Sequence, residues 1–199
     1  LLVMEAVDAG VAHMDSVVTV SANAASMGGS QVYLKEGEVM TVEELLKSVV
    51  IASANDAAVA LAIETAGTVA DFAALMNEKA AELGMTDTHY SNASGLDDEN
   101  LYTTVYDMTK LMRYAMQNEV FRMLVSTKSY QIKADEHGAK AHSLKNTNQL
   151  LWDYEGCLGG KTGTTTQNTV PLASSCDNCP KVNASYSSTT GGTSNTDTL

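Results

Sequence analysis

The chain has 199 residues, 44% of them hydrophobic, and a formal net charge of −12. That length and apolar content suit a single hydrophobic core. The acidity argues against a nucleic-acid surface and against a basic membrane-surface patch. There is no 18-residue apolar run to span a bilayer, and the chain opens without Met or a leader-peptide pattern.

In chain order, Val17 to Val20 alternate like a short strand, and Gln31 to Leu34 form a second strand candidate. Thr41 with Glu44 predicts a capping box that opens a helix from Val42 to about Ile51. Ser53 with Asp56 predicts another box, opening a helix through Thr65 that ends near Gly67. Thr68 with Asp71 predicts a third helix, with Phe72, Leu75, Met76, Ala80 and Leu83 at helical spacing before Gly84. Thr104 with Asp107 predicts a fourth, carrying Leu111, Met112, Ala115 and Met116, and the methionines read as core. Ser129 to Lys133 and the segment around Gly159 to Thr164 are further strand candidates.

After about Thr165 the chain becomes rich in Ser, Thr, Asn and Gly and loses any sustained period. Such a composition buries too little apolar surface to offset ordering, so disorder or a frameshifted end is expected there, with Val170 to Ser175 keeping a trace of a strand. The expected organisation is one domain over 1–165 and a tail over 166–199.

Two short motifs carry chemistry. They are Ser53-Ala54-Asn55 and Lys161-Thr162-Gly163, 108 positions apart. Ser-x-x-Lys, Ser-x-Asn and Lys-Thr-Gly together are the signature of penicillin-binding proteins and serine β-lactamases. The first element, which would hold the nucleophile, is missing from the region that could supply it. An acyl-transfer site acting on a peptide needs a nucleophile, a base, a proton route to the leaving amine and donors for the oxyanion. A serine can relay a proton, and an asparagine can both donate to and accept from a substrate amide. A lysine supplies a cation for a carboxylate, and a glycine lets backbone approach a ligand closely. Each triplet alone is weak. Ser21-Ala22-Asn23 is a second Ser-x-Asn match, set aside because it follows a strand-like run, whereas Ser53 lies between two helical patterns.

The surroundings are more specific than the triplets. From Val18 to Thr164 the chain resembles the D-alanyl-D-alanine carboxypeptidases, the low-molecular-mass penicillin-binding proteins. The resemblance rests on AASMGGSQVYLKEGEVMTVEELLKSVVIASANDAAVALAIETAG, HYSNASGLDDENLYTTVYDMTKLM and LKNTNQLLWDYEGCLGGKTG, in the family's order. It implies a mixed α/β (α+β) fold of the penicillin-binding-protein/β-lactamase type, with helices packed on an antiparallel sheet that is incomplete in this chain.

It also implies hydrolysis of the terminal D-Ala from peptidoglycan stem peptides through a serine acyl-enzyme, acylation by β-lactams, and no cofactor or metal. By the same resemblance Ser53 takes the proton-relay position and Asn55 the substrate-amide position. Lys161 and Thr162 bind the terminal carboxylate, Gly163 allows close approach, and the Thr164 N–H stands at one oxyanion donor. The nucleophile and base are expected just before Leu1, on a helix that the opening residues continue, so this chain by itself is expected to be inactive. The implied setting is the extracytoplasmic bacterial envelope, with any membrane tether in segments absent from these residues. A helical lobe lacking most of its sheet is expected to leave an apolar face uncovered.

Two other readings stay open. A serine β-lactamase on the same fold would carry a Glu-x-x-Leu-Asn motif between Ser53 and Lys161, and none occurs there. A non-catalytic peptidoglycan-binding protein would keep the carboxylate pocket without the nucleophile. The remaining reactive residues read blandly. Cys176 and Cys179 supply only two metal ligands, Cys157 reads as a small buried or half-exposed residue, and His13, His89, His137 and His142 as surface or loop residues. Asp97-Asp98-Glu99 reads as solvated loop, and Asn183-Ala184-Ser185 as a glycosylation pattern without meaning in a bacterial-type chain.

Overall fold

In the computed structural model the described residues are 1–134 and 140–163, together with a short strand at 175–176. Thr164, the boundary near Thr165, His137, Cys179 and most of the tail lie outside them.

The elements run α1 (Leu2–Asp8), β1 (Val17–Thr19), α2 (Ala22–Ala25), β2 (Val39–Thr41), α3 (Val42–Ala52), α4 (Asn55–Ala66) and α5 (Val69–Glu82). They continue with α6 (Val105–Ala115), α7 (Glu119–Ser126), β3 (Ser129–Ile132), β4 (His142–Lys145), α8 (Leu150–Asp153), β5 (Cys157–Gly159) and β6 (Ser175–Cys176). The described strands form three antiparallel pairs, β1-β2, β3-β4 and β5-β6.

Local chemistry explains where the helices start. At α3 the Glu44 N–H donates to Thr41 Oγ1 at 3.2 Å while Glu44 Oε2 accepts from the Thr41 N–H at 2.9 Å, a complete capping box. Thr68 caps α5 through the Asp71 N–H, and Thr104 caps α6 through the Asp107 N–H. At α6 the Asp107 carboxylate is drawn elsewhere, to the Asp87 N–H, the Thr88 hydroxyl and Lys110.

Helix α4 is the central one. Its Ala57, Val59, Ala60, Leu61 and Ala62 are all buried, so it is apolar around much of its circumference, as a helix enclosed by neighbours should be. Its small residues let α3 and α5 pack closely, and the main core gathers Met4, Leu34, Met40, Leu45, Ile51 and Leu144 around it. A full burial of one such Leu or Ile contributes about 1.5–3 kcal/mol. The β3-β4 hairpin docks on α3 through Ile132 and Leu144, both fully buried. Of the expected α5 stripe, Ala80 is buried and Phe72 packs against the main core, whereas Leu75 is exposed.

Several expectations are corrected. Ser53 does not cap α4. It ends α3 in the left-handed conformation (φ 59°, ψ 38°), and α4 begins after Ala54 with no side-chain cap. Gln31 to Leu34 is not a strand, because the Val32 and Leu34 N–H groups that a ladder would use are taken by Asp56. The strand expected at Gly159 to Thr164 lies at Cys157–Gly159 instead, and residues 160–163 continue without strand pairing. His142 is not a simple surface residue, since its Nε2 lies 2.8 Å from Oε1 of buried Glu38. Ser21 does follow β1, but its role is to cap α2 through the Ala24 N–H.

Candidate active site

The site forms where α3 ends, α4 begins and the chain after β5 passes across them. The left-handed turn at Ser53 links the two helices and sets Ser53 and Asn55 on either side of Ala54 at their junction. Left-handed backbone costs a non-glycine residue roughly 1–2 kcal/mol, and such strain collects where a side chain must be held in one place. Ser53 is half-buried, and its hydroxyl accepts a hydrogen bond from Lys161 Nζ at 2.7 Å. A second Lys161 N–H donates to the Thr162 carbonyl at 2.7 Å. These bonds use two of the ammonium's three donors. Burial disfavours the charged amine and pushes the Lys161 pKa down to about 8.

Gly159 makes the approach of Lys161 possible. At φ +106° it passes so close to the end of α7 that a Cβ there would stand 2.4 Å from the Val125 carbonyl oxygen and 2.9 Å from the Ser126 nitrogen. The neighbouring turn is equally determined. Buried Asn146 donates from Nδ2 to the Thr127 carbonyl at 2.8 Å and accepts the Asn148 N–H, while the Thr147 N–H reaches the Ile51 carbonyl. This turn places Thr147 Oγ1 at 2.8 Å from Thr162 Oγ1, so the hydroxyl of the residue after Lys161 has a second hydroxyl beside it.

A strap of residues 28–34 is fastened to the start of α4. Asn55 Nδ2 donates to the Gly28 carbonyl at 2.8 Å, and the Asn55 N–H to the Ser30 carbonyl at 2.8 Å. Gly29 has φ +75°, and a Cβ on it would come within 2.7 Å of Asn55 Nδ2. Asp56, fully buried, accepts from the Val32, Leu34 and Ala57 N–H groups.

The structure therefore brings Ser53, Lys161 and Thr162 together, with Asn55 held beside the strap. Gly163 follows in the same segment, and Thr164 lies outside the described residues. Sequence reasoning missed Thr147, Asp56, Gly159 and the strap. Gly159-Gly160 ahead of Lys161 was the one available signal, since paired glycines mark unusual backbone. A hydroxyl bonded to a buried amine with a pKa of about 8 can pass a proton in either direction, and an ammonium with a donor left over can hold a carboxylate.

A family description, D-alanyl-D-alanine carboxypeptidase, matches residues 1–182. The chain is 43% identical over 165 residues to D-alanyl-D-alanine carboxypeptidase DacF of Bacillus subtilis, covering 83% of this chain and 42% of that protein. It is 36% identical over 143 residues to a Streptomyces D-alanyl-D-alanine carboxypeptidase, covering 67% and 49%. Among solved structures, a mutant of a Streptomyces DD-transpeptidase superposes with a TM-score of 0.82 at 30% identity, covering 94% of this chain and 78% of that one. DacD of Francisella tularensis gives 0.78 at 28% identity, covering 88% and 54%.

The fold is therefore that of the penicillin-binding DD-peptidases, present in part. More particularly, the chain belongs to the D-alanyl-D-alanine carboxypeptidase family. It spans less than half the length of the Bacillus and Streptomyces carboxypeptidases.

Proposed function

We propose that the whole protein is a serine-type carboxypeptidase that removes the terminal D-Ala from peptidoglycan stem peptides at the outer side of the bacterial membrane. The observation that carries this reading is the Lys161–Ser53 hydrogen bond, which joins the family's two motifs across 108 residues. In this reading Lys161 and Thr162 bind the substrate carboxylate, with Thr147 supporting Thr162. Asn55 aligns the substrate amide, and Ser53 carries a proton toward the leaving amine, helped by the near-neutral pKa of Lys161. Gly163 leaves room for the substrate backbone, and the Thr164 N–H supplies an oxyanion donor.

Ser-x-x-Lys does not occur in residues 1–199, and we place the nucleophile and its base N-terminal to Leu1. The same site would accept β-lactams, whose carboxylate and amide match those of the peptide terminus. Intact-mass measurement after benzylpenicillin tests the assignment. The whole protein should gain one penicilloyl adduct on a Ser-x-x-Lys serine, and residues 1–199 alone should gain none. An adduct on Ser53 would overturn the roles assigned to Ser53 and Lys161.

A further inference from the structure

We propose that Tyr33 is a specificity residue that meets the part of the stem peptide upstream of the terminal D-Ala-D-Ala, an inference that rests on the carboxypeptidase reading. Tyr33 combines two features that folding alone does not favour. Its backbone is left-handed at φ +62°, and its side chain is 69% exposed. A bulky residue in that conformation is a genuine outlier, and glycine would occupy it without strain. An exposed ring contributes little to the core in return.

The structure around Tyr33 nevertheless enforces this conformation. Asp56, completely buried, accepts the Val32 N–H at 3.3 Å with one carboxylate oxygen and the Leu34 N–H at 3.0 Å with the other. Leu34 is itself sunk in the core at 1% exposure. The residues on either side of Tyr33 are thus clamped by one carboxylate, and Tyr33 is the residue turned outward between them.

Its position relative to Asn55 follows from the same strap. The Ser30 carbonyl accepts the Asn55 N–H, and Tyr33 follows Ser30 by three residues, at most about 10 Å of chain. An extended peptide advances about 3.4 Å per residue, so roughly three residues upstream of the terminal pair cover the same distance. With the terminal carboxylate placed at Lys161 and Thr162, the upstream stem in this proposal runs along the strap to which Asn55 is bonded. A tyrosine there offers an apolar face for aliphatic stem atoms and a hydroxyl for a peptide amide. Strain retained beside a binding cleft is expected when the held side chain is used.

The test is calorimetric titration of the whole protein, held inactive by alanine in place of its Ser-x-x-Lys serine, with acetyl-D-Ala-D-Ala and with a stem pentapeptide ending in D-Ala-D-Ala. With Tyr33 in place, that protein should bind the pentapeptide about tenfold more tightly than the short peptide, the size of one good aromatic contact. Tyr33→Gly should erase that preference, leave the short peptide within about twofold, and melt no lower than wild type because the strain is gone. Tyr33→Phe should keep most of the preference. Pentapeptide affinity unchanged in Tyr33→Gly, or both peptides weakened equally, would overturn the inference while leaving the carboxypeptidase reading standing. Failure of that protein, with Tyr33 in place, to bind either peptide would overturn both.

Discussion

Lys161 Nζ donates to Ser53 Oγ at 2.7 Å across 108 residues of chain. The contact joins a turn between two helices to the segment that follows β5, and each half carries backbone that resists substitution. Ser53 is left-handed, and Gly159, two residues before Lys161, lies where no side chain fits.

The amine's environment sets a pH limit on substrate capture. Burial lowers the Lys161 pKa to about 8, so above that pH the site loses the cation that would meet a carboxylate. In the free enzyme, kcat/KM for D-Ala release should fall with one proton above about pH 8, and Lys161→Arg should remove that fall even if it lowers the rate. A profile flat to pH 10 in the wild type would contradict this. Stability runs the other way. From about pH 8 to the unfolded value near 10.4 the unfolded chain holds a proton that the folded chain has released, so Lys161 makes stability rise with pH there.

Gly29→Ala should act on the site without touching the reacting atoms. The new Cβ would lie 2.7 Å from Asn55 Nδ2 and 3.2 Å from Leu96 Cδ2, at a φ that already disfavours alanine. Fold stability should drop by about 1–2 kcal/mol, and displaced Asn55 should lower kcat/KM by roughly 10- to 100-fold. Urea midpoints and steady-state rates measure the two effects separately.

Gly159→Ala should be worse for folding. The nearest atoms to its Cβ are backbone, at 2.4 to 2.9 Å, and backbone cannot swing aside. A loss of about 3 kcal/mol or more is expected, by the overpacking and left-handed strain together. An unchanged melting temperature would mean that β5 is not seated against α7.

The Glu38–His142 pair fastens the β3-β4 hairpin to the turn before β2. Burial works against the Glu38 charge, but hydrogen bonds from His142 and from the Lys35 and Lys140 N–H groups outweigh it and hold the carboxyl below its ordinary range. A carboxylate with a lowered folded pKa contributes stability above its unfolded value of about 4.3, and that contribution is lost as pH falls through the folded value. Glu38→Gln should cost about 1–3 kcal/mol at pH 7 and flatten the acid limb of a stability-against-pH curve. An acid limb of the same steepness in the variant would rule this pair out as its source.

Much of this was legible in the sequence, and the boundary is physical. Thr41 with Glu44 and Thr68 with Asp71 are local partners three residues apart, so their caps could be read directly. The two motifs were readable because their residue types suit one chemistry. Asp56 misled for the opposite reason. As a carboxylate three residues after Ser53 it imitated a capping box, but its partners Val32 and Leu34 lie 24 and 22 residues away. The same long-range bonds turned Gln31 to Leu34 from a strand into a strap. Glu38 and His142 are separated by 104 residues, and no local pattern announces such a pair.

The most direct test of the Ser53–Lys161 couple is D-Ala release from a D-Ala-D-Ala peptide by the whole protein and by its Ser53→Ala form. Wild type should release one D-Ala per peptide, and Ser53→Ala should lower kcat/KM by about 10²- to 10⁴-fold, the scale of a lost proton relay, with its melting temperature little changed. No release by the wild type, or equal release by both proteins, would contradict the proton-relay role of this pair.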